Sequence, residues 1–392
     1  MIEAQHFLNQ LSSSSRLAPE SGIVELVNIG RERSDLIPLW AGEGQLSTPS
    51  FIVEAAAQSM RAGETFYTYQ RGLPELRQAL AEYHEGLYGK SFSHERFFVT
   101  GSGMHAIQLA IQAVVGPQKK IIVPSPVWPN LAAAAQVSGA VPVPVKMERF
   151  NGRWQLDIDR IRSAITPQTT AIFINSPCNP TGWAAPLEEL QAILDLAREN
   201  GLWIIADEVY HRFVFNGQKR APSFYDIASD DDLILWVNSF SKNWAMTGWR
   251  VGWLSAPPQI GQIVENLIQY STSGTAAFMQ RAATVALRDG ETFLQSQIDS
   301  AAQNREMLVK WFRQWDSIDL CEPDGAFYLF FSPKDVPDVR QWAIDLLQST
   351  GVGLAPGTAF GCGGEGYVRL CFLRDYHTLV TACDRMAECL GN

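Results

Sequence analysis

The sequence has few cysteines, no basic block and no long apolar run. Its six cysteines among 392 residues show no paired CxxC spacing, so we expect reduced thiols, no disulfide framework and no metal site. There are 31 Lys and Arg against 41 Asp and Glu, a net charge of −10, which argues against general nucleic-acid binding. The N-terminus lacks the basic start and apolar core of a signal peptide, and nothing reaches membrane-spanning length. These absences predict a cytoplasmic protein without nucleic-acid or membrane partners.

The composition is that of a globular protein, with 46% hydrophobic and 18% charged residues. A chain of 392 residues exceeds the usual size of one hydrophobic core, so two closely packed domains are expected. No internal repeat or low-complexity tract is evident.

Between about residues 93 and 254, short apolar runs alternate with helical patterns such as Met104–Val115 and Leu187–Glu199. The runs are nearly continuous in apolar character, as in strands that are buried on both faces. This pattern predicts an α/β domain with a mostly parallel seven-stranded sheet sandwiched by helices. The candidate strands are Arg96–Thr100, Lys120–Pro124, Val141–Val145, Thr170–Asn175, Leu202–Asp207, Leu233–Asn238 and Arg250–Ser255.

After about Thr275 the pattern changes to long helices, Gln280–Leu287 and Phe293–Trp315, beside short strands at Phe327–Phe331 and Tyr367–Phe372. This change indicates a smaller α+β domain. We expect an N-terminal arm and part of the small domain in residues 1–45, the large domain in 46–280 and the rest of the small domain in 281–392.

The most informative segment is SFSKNWAMTGWRVGW, which runs from Ser239 to Trp253 directly after a predicted buried strand. A lysine with an ordinary pKa is protonated, whereas a partly buried lysine beside cationic or polar groups becomes a usable nucleophile. Arg250 follows Lys242 closely and offers a two-pronged donor for a phosphate. Alone, such a pair is more often an exposed surface feature.

Further polar residues follow other predicted strands. INSPCNPTG places Asn179 after one strand, and IIADEVYHRF places Asp207 and Tyr210 after another. Because ligands of open parallel sheets bind outside the carboxyl ends of the strands, these groups are expected to converge on one edge. GSGMHAIQLAIQ leads from a strand into a helix whose free N–H groups would face a phosphate, although this motif alone is more often a simple turn and cap.

Taken together and in this order, these motifs resemble the fold-type-I aminotransferases, specifically the class I and II family that includes aspartate and aromatic aminotransferases. The resemblance covers nearly the whole chain. It implies a homodimer with shared active sites that uses pyridoxal 5′-phosphate to move an amino group from an L-amino acid to a 2-oxo acid by a ping-pong mechanism.

The resemblance also assigns roles around the ring of that cofactor. Lys242 would bind the cofactor covalently and act as the catalytic general base and acid. Asp207 would pair with the protonated pyridine nitrogen, so that the ring can accept electrons. Asn179 and Tyr210 would donate hydrogen bonds to the phenolate oxygen, and Trp128 would stack on the ring.

The remaining roles concern the phosphate and the substrate. Tyr67 matches a tyrosine that reaches the phosphate in the neighbouring subunit. Arg369 would grip the substrate α-carboxylate and Gly42 would contact it through the backbone, while Trp128 and Asn179 would also border the substrate. The phosphate-binding group would comprise Arg250, Ser239, Ser102, Gly103 and, through its backbone N–H alone, Met104.

Two alternatives remain open. The first is a lyase of the same fold, such as a C–S β-lyase, which would keep most of the same cofactor residues. The second is a cofactor-binding regulator fused to a DNA-binding module, which is disfavoured because no basic helix-turn-helix extension fits before the family pattern begins near Leu39.

The substrate is not fixed by these motifs. The stretch from Ser271 to Gln280 contains no Arg or Lys, which leaves an aspartate substrate doubtful. Aromatic residues such as Trp40 and Phe66 suggest apolar or aromatic substrates, although either residue could equally serve core packing.

Overall fold

The computed structural model describes residues 2–16 and 18–390. The strands are β1 (Ile37–Pro38), β2 (Phe97–Thr100), β3 (Lys120–Ser125), β4 (Val141–Lys146), β5 (Glu148–Phe150), β6 (Arg153–Gln155), β7 (Thr169–Asn175), β8 (Trp203–Asp207), β9 (Ile234–Ser239), β10 (Gly252–Ser255), β11 (Ile318–Leu320), β12 (Tyr328–Pro333), β13 (Val352–Gly353), β14 (Ala355–Pro356) and β15 (Val368–Cys371).

The helices fill most of the intervening chain. They are α1 (Ile2–Gln10), α2 (Ser13–Arg16), α3 (Val24–Gly30), α4 (Ser50–Arg61), α5 (Pro74–Tyr88), α6 (Gly103–Val114), α7 (Asn130–Val137), α8 (Ile158–Ala164), α9 (Leu187–Asn200), α10 (Phe240–Asn243), α11 (Gly261–Gln269), α12 (Ala277–Asp289), α13 (Glu291–Phe312), α14 (Val339–Thr350) and α15 (Tyr376–Leu390). In these ranges, no helix is long and apolar enough to cross a membrane.

Seven of the strands form the central sheet, in the order β2-β10-β9-β8-β7-β3-β4. β10 runs antiparallel to both of its neighbours, and the other pairings are parallel. Strands such as β2 and β9 are buried along their whole length, which explains their continuous apolar runs. The predicted α/β fold with a mostly parallel seven-stranded sheet is therefore confirmed.

The helices that cover the sheet follow from amphipathic patterns. In α9 the buried residues Leu190, Ile193, Leu194 and Ala197 recur at helical spacing, and the helix ends at Gly201, whose φ is 62°. The predicted strand Arg250–Ser255 begins later than expected, at Gly252, because Arg250 has a left-handed φ of 54°. A residue with that backbone conformation does not continue a strand.

The C-terminal part forms an antiparallel four-stranded sheet in the order β11-β12-β15-β14. The N-terminal segment joins this part, because β1 pairs in parallel with β13. α12 packs instead beside α4 and α5, in one apolar cluster that includes Ile52, Leu76 and Ala282. The division of the chain at residues 45 and 280 stays a prediction.

Candidate active site

Three neighbouring parallel strands end in polar residues at one edge of the central sheet. Asn175 ends β7, Asp207 ends β8 and Ser239 ends β9. Asn175 lies opposite Asp207 in the strand register, and its Nδ2 donates to the Asp207 carbonyl at 3.1 Å. A cavity of 550 Å³ opens at this edge, which is where open parallel sheets bind ligands.

Most of the residues singled out in the sequence line this cavity. Ser102 is buried next to Gly103 and does not itself line the cavity; its Oγ accepts the backbone N–H of His105. Tyr67 and Phe66 lie away from the cavity of their own chain and are 92% and 83% exposed. The predicted residues that line the cavity are Trp40, Gly42, Gly103, Met104, Trp128, Asn179, Asp207, Tyr210, Ser239, Lys242, Arg250 and Arg369.

Lys242 reaches into the cavity from α10, the short helix that follows β9. Its Nζ donates to the carbonyl of Gly42 at 2.6 Å. A Cβ on Gly42 would lie 2.9 Å from the Tyr328 hydroxyl, so a side chain there would displace the carbonyl that holds Lys242. Burial lowers the pKa of Lys242 to about 8, which makes a sizeable fraction of its amine nucleophilic near neutral pH.

Asp207 lies at the floor of the cavity and is 2% exposed. Burial raises its pKa to about 7, against the opposing effects of the Val209 N–H, which donates to Oδ1 at 3.2 Å, and of the Lys242 charge. A carboxyl group in this position binds a proton or a cationic partner readily, because either one removes its uncompensated buried charge.

Arg369 lies on β15 at the opposite side of the cavity and is 3% exposed. Its Nη1 donates to Asn179 Oδ1 at 2.8 Å, and its Nη2 donates to the carbonyl of Trp40. The guanidinium carbon lies 4.6 Å from the ring centre of Tyr328 and 4.7 Å from that of Phe360. Because its Nε has no hydrogen-bond partner, the guanidinium retains unused donor capacity for an anion.

The end of the cavity near α6 is built for an anion. α6 begins at Gly103, which lines the cavity, so the first free N–H groups of the helix and the positive end of its dipole lie at the cavity wall. Ser239 and Arg250 line the same cavity. A Cβ on Gly252 would lie only 2.7 Å from the backbone nitrogen of Gly103, so glycine is required where β10 passes the start of this helix.

Asn175 and Phe360, which line the cavity, were not anticipated, and neither was Tyr328, which bonds to the predicted residue Tyr210. Tyr210 shares a hydrogen bond of 2.7 Å with the hydroxyl of Tyr328, and burial raises the pKa of Tyr210 well above its usual value. Asn175 could have been found, because it ends the strand that precedes the Asn179 motif. Tyr328 and Phe360 carry no such signal, since they come from the C-terminal part of the sequence, far from the motifs.

The chain is similar to known proteins along nearly its whole length. The family model described as "Aminotransferase class I and II" matches residues 34–386. The chain is 33% identical to an aspartate aminotransferase from Pyrococcus abyssi over 97% of this chain and 98% of that protein. It is 32% identical to aromatic-amino-acid aminotransferase 2 from Thermococcus litoralis, over 97% of this chain and 98% of that one.

The fold is likewise similar to solved structures. A single mutant of the Thermus thermophilus aspartate aminotransferase superposes with a TM-score of 0.90 at 32% identity. The match covers 96% of this chain and 99% of that chain, so nearly the whole fold is shared.

Proposed function

Because this chain belongs to the class I and II aminotransferase family, we propose that the cavity around Lys242 is its active site and holds pyridoxal 5′-phosphate. The chain is a transaminase, which moves an amino group from an amino acid to a 2-oxo acid. The observation that carries the proposed site is the meeting of Lys242, Asp207 and Arg369 in one cavity.

The residues present fit this cofactor, on which the family depends. Asp207 is a buried carboxyl group with a pKa of about 7, so a protonated ring nitrogen would supply the cation that its surroundings favour. Lys242 offers the amine that would bind the cofactor aldehyde. The start of α6, with Ser102, Gly103 and the backbone N–H of Met104, would hold the phosphate together with Ser239 and Arg250.

When bound, the cofactor supplies an electron sink for the electrons released at the substrate Cα. Lys242 would take the proton from Cα and return it to the adjacent reacting carbon, since its lowered pKa suits both directions of transfer. Asp207 would keep the ring nitrogen protonated. Asn179 and Tyr210 would donate to the ring oxygen, and Trp128 would pack on the ring face.

Arg369 would fix the substrate by its α-carboxylate, with Gly42 contributing a backbone contact. The two aromatic rings that flank the guanidinium hold its plane, so the fork is preorganised for a carboxylate. This grip would place the Cα–H bond within reach of Lys242 and would be used twice in a ping-pong cycle, once by the amino acid and once by the oxo acid.

We also propose a cytoplasmic homodimer with shared sites. Near the segment that carries Tyr67, large aromatic side chains face solvent: Phe66 is 83%, Tyr69 64% and Tyr270 87% exposed. Exposed aromatics of this kind are typical of protein interfaces. A partner that covers them would bring its own Tyr67 toward the phosphate end of the cavity. The cysteines are all free, which suits a reducing compartment.

Amino-group transfer is favoured over C–S lyase activity, because the curated relatives are aminotransferases by name. The two reactions are separated by supplying a ¹⁵N-labelled amino acid with an unlabelled 2-oxo acid and following the label by mass spectrometry. We expect the label in the new amino acid. Release of labelled ammonia, with pyruvate formed from a cysteine conjugate, would establish the lyase instead.

A further inference from the structure

Part of the cavity wall has no role in holding the cofactor or the α-carboxylate. It includes the apolar side chains of Ile23, Met104 and Ile107, and the uncharged polar residues Ser21 and Asn130 line the cavity as well. Ile23 and Met104 are partly exposed and pack against the main apolar cluster, to which Ile107 itself belongs. This wall comes from the N-terminal segment and from α6, and it is available to the side chain of the substrate.

The positive charges of the cavity are already committed. Among the described residues that line it, the cations are Lys242, Arg250 and Arg369. The proposed function assigns these three to the cofactor aldehyde, the phosphate and the α-carboxylate. Glu43 adds a negative charge at the rim, where it accepts a hydrogen bond of 2.7 Å from the Thr247 hydroxyl. A second substrate carboxylate would therefore meet an acid and no free cation.

The exposed segment around Tyr67 would not supply the missing cation from a partner subunit. The segment that would approach the cavity from the partner exposes aromatic groups, with Tyr67 at its centre. The nearby Arg71 donates to Glu95 at 2.8 Å and to Glu265 at 2.7 Å. The charge of Arg71 is thus neutralised within its own chain. The side chains that a partner subunit would bring to the cavity from this segment would be aromatic.

We infer that the side-chain pocket takes a large apolar or aromatic side chain and discriminates against dicarboxylic amino acids. The inference rests on the proposed function of the cavity. A desolvated carboxylate without a cationic partner is unfavourable, whereas each additional methylene in an apolar pocket favours the substrate by roughly 10- to 200-fold. Ile23, Met104 and Ile107 are the residues that set this preference.

The test measures the amino-acid half reaction of the cofactor-loaded protein with L-phenylalanine, L-leucine, L-methionine, L-aspartate and L-glutamate. We expect kcat/KM for the best apolar substrate to exceed those for aspartate and glutamate by at least about 10-fold. Aspartate or glutamate reacting as fast as the best apolar substrate would overturn the inference and leave the transaminase intact. If alanine reacts and none of the five does, the inference is overturned and the transaminase stands; if alanine does not react either, the proposed site itself fails.

Binding without turnover gives an independent reading. The dissociation constants of 3-phenylpropanoate and succinate for the cofactor-loaded protein are measured by calorimetry. Both ligands present one carboxylate to Arg369, and they differ in the group that faces the apolar wall. Tighter binding of 3-phenylpropanoate supports the inference, and equal or tighter binding of succinate contradicts it.

Two neighbouring positions provide a matched pair of variants. Ile23 lines the cavity, whereas Val24 is 50% exposed and does not. Ile23→Ala is expected to lower kcat/KM for phenylalanine by about 5- to 20-fold, while kcat/KM for alanine stays within about twofold. Val24→Ala should change neither value. An unchanged phenylalanine reaction in Ile23→Ala would remove this wall from the substrate pocket.

Discussion

At the scale of single residues, the site combines groups whose proton affinities are shifted by burial. Asp207 holds a proton more tightly than an exposed carboxyl, and Lys242 holds one less tightly than an exposed amine. Both shifts reduce charge in a buried cavity. The cofactor-free protein therefore has a cavity that favours neutral forms, and a ligand that carries a positive nitrogen would change this balance at Asp207.

The shift at Asp207 predicts a pH-dependent stability of the cofactor-free protein. Its pKa is about 7 in the folded protein and 3.8 in the ordinary case, so the folded state binds this proton more tightly than the unfolded state. The resulting stabilisation is fully present below the ordinary pKa and is lost as the pH rises through about 7. Asp207→Asn removes this dependence. Between pH 5 and pH 8 the variant should gain on the order of 2–3 kcal/mol relative to wild type in urea unfolding.

The control for this prediction is Asp299→Asn, at an exposed position on α13. It should follow the wild-type pH dependence. If Asp207→Asn and wild type lose stability in parallel from pH 5 to pH 8, Asp207 does not carry the buried proton.

If Arg369 binds the α-carboxylate, replacing it should weaken the reaction of every amino acid, whatever its side chain. Arg369→Lys keeps a positive charge but loses the planar fork, so kcat/KM should fall by roughly 10- to 100-fold for every amino acid that reacts. Steady-state kinetics on several amino acids provides the measurement, with Arg313→Lys on the protein surface as control. A loss confined to one substrate would place Arg369 at the side chain instead of the α-carboxylate.

At the scale of secondary-structure elements, the start of α6 and the strand β10 are packed so closely that neither can shift without the other. Gly252→Ala would place a Cβ 2.7 Å from the Gly103 nitrogen, so one of the two elements must move. We expect the affinity for pyridoxal phosphate to fall by about 10-fold or more, because the N–H groups that face the phosphate shift with the helix.

Gly86→Ala on the exposed face of α5 serves as the comparison. A Cβ there meets no atom within 4 Å, and replacing a helical glycine with alanine stabilises by about 0.5–1 kcal/mol. Its cofactor affinity, measured by titration of the absorbance band, should match wild type. Equal affinity in Gly252→Ala would show that this contact does not shape the phosphate site.

The elements themselves were largely predictable from sequence. Continuous apolar runs located the seven central strands to within about two residues, and the polar residues at their ends converge as expected on one edge. The bond between Asn179 and Arg369 was not predictable, because the two residues are 190 positions apart. The left-handed conformation of Arg250 was missed as well, since it depends on the turn that returns the chain to the sheet.

At the scale of the whole molecule, the proposed dimer predicts that two defective chains restore each other. A heterodimer of Lys242→Ala and Tyr67→Ala would contain one site with an intact Lys242 from one chain and an intact Tyr67 from its partner. Mixed and re-equilibrated variants should recover transaminase activity up to about a quarter of the wild-type value, the share of intact sites for random pairing.

The same mixture shows whether Tyr67 serves the site of its own chain or that of its partner. If Tyr67 served the site of its own chain, each site of the heterodimer would lack one of the two residues and activity would stay at the level of the separate variants. Sedimentation of wild type as a monomer would contradict the dimer directly. For Tyr67, the resemblance already implied a position that reaches a neighbouring subunit, whereas the exposure of Phe66 could not be inferred from sequence, which marks that residue only as aromatic.

Absorbance spectroscopy tests whether Lys242 binds pyridoxal phosphate and carries out amino transfer. Spectra of cofactor-loaded wild type and Lys242→Ala are recorded before and after a panel of amino acids is added. We predict that amino acids convert the wild-type cofactor band to that of its aminated form, while the variant fails to make this conversion. A wild-type protein that acquires no cofactor band would show that the cavity does not hold pyridoxal phosphate. A Lys242→Ala variant that converts as fast as wild type would show that Lys242 does not carry out the transfer.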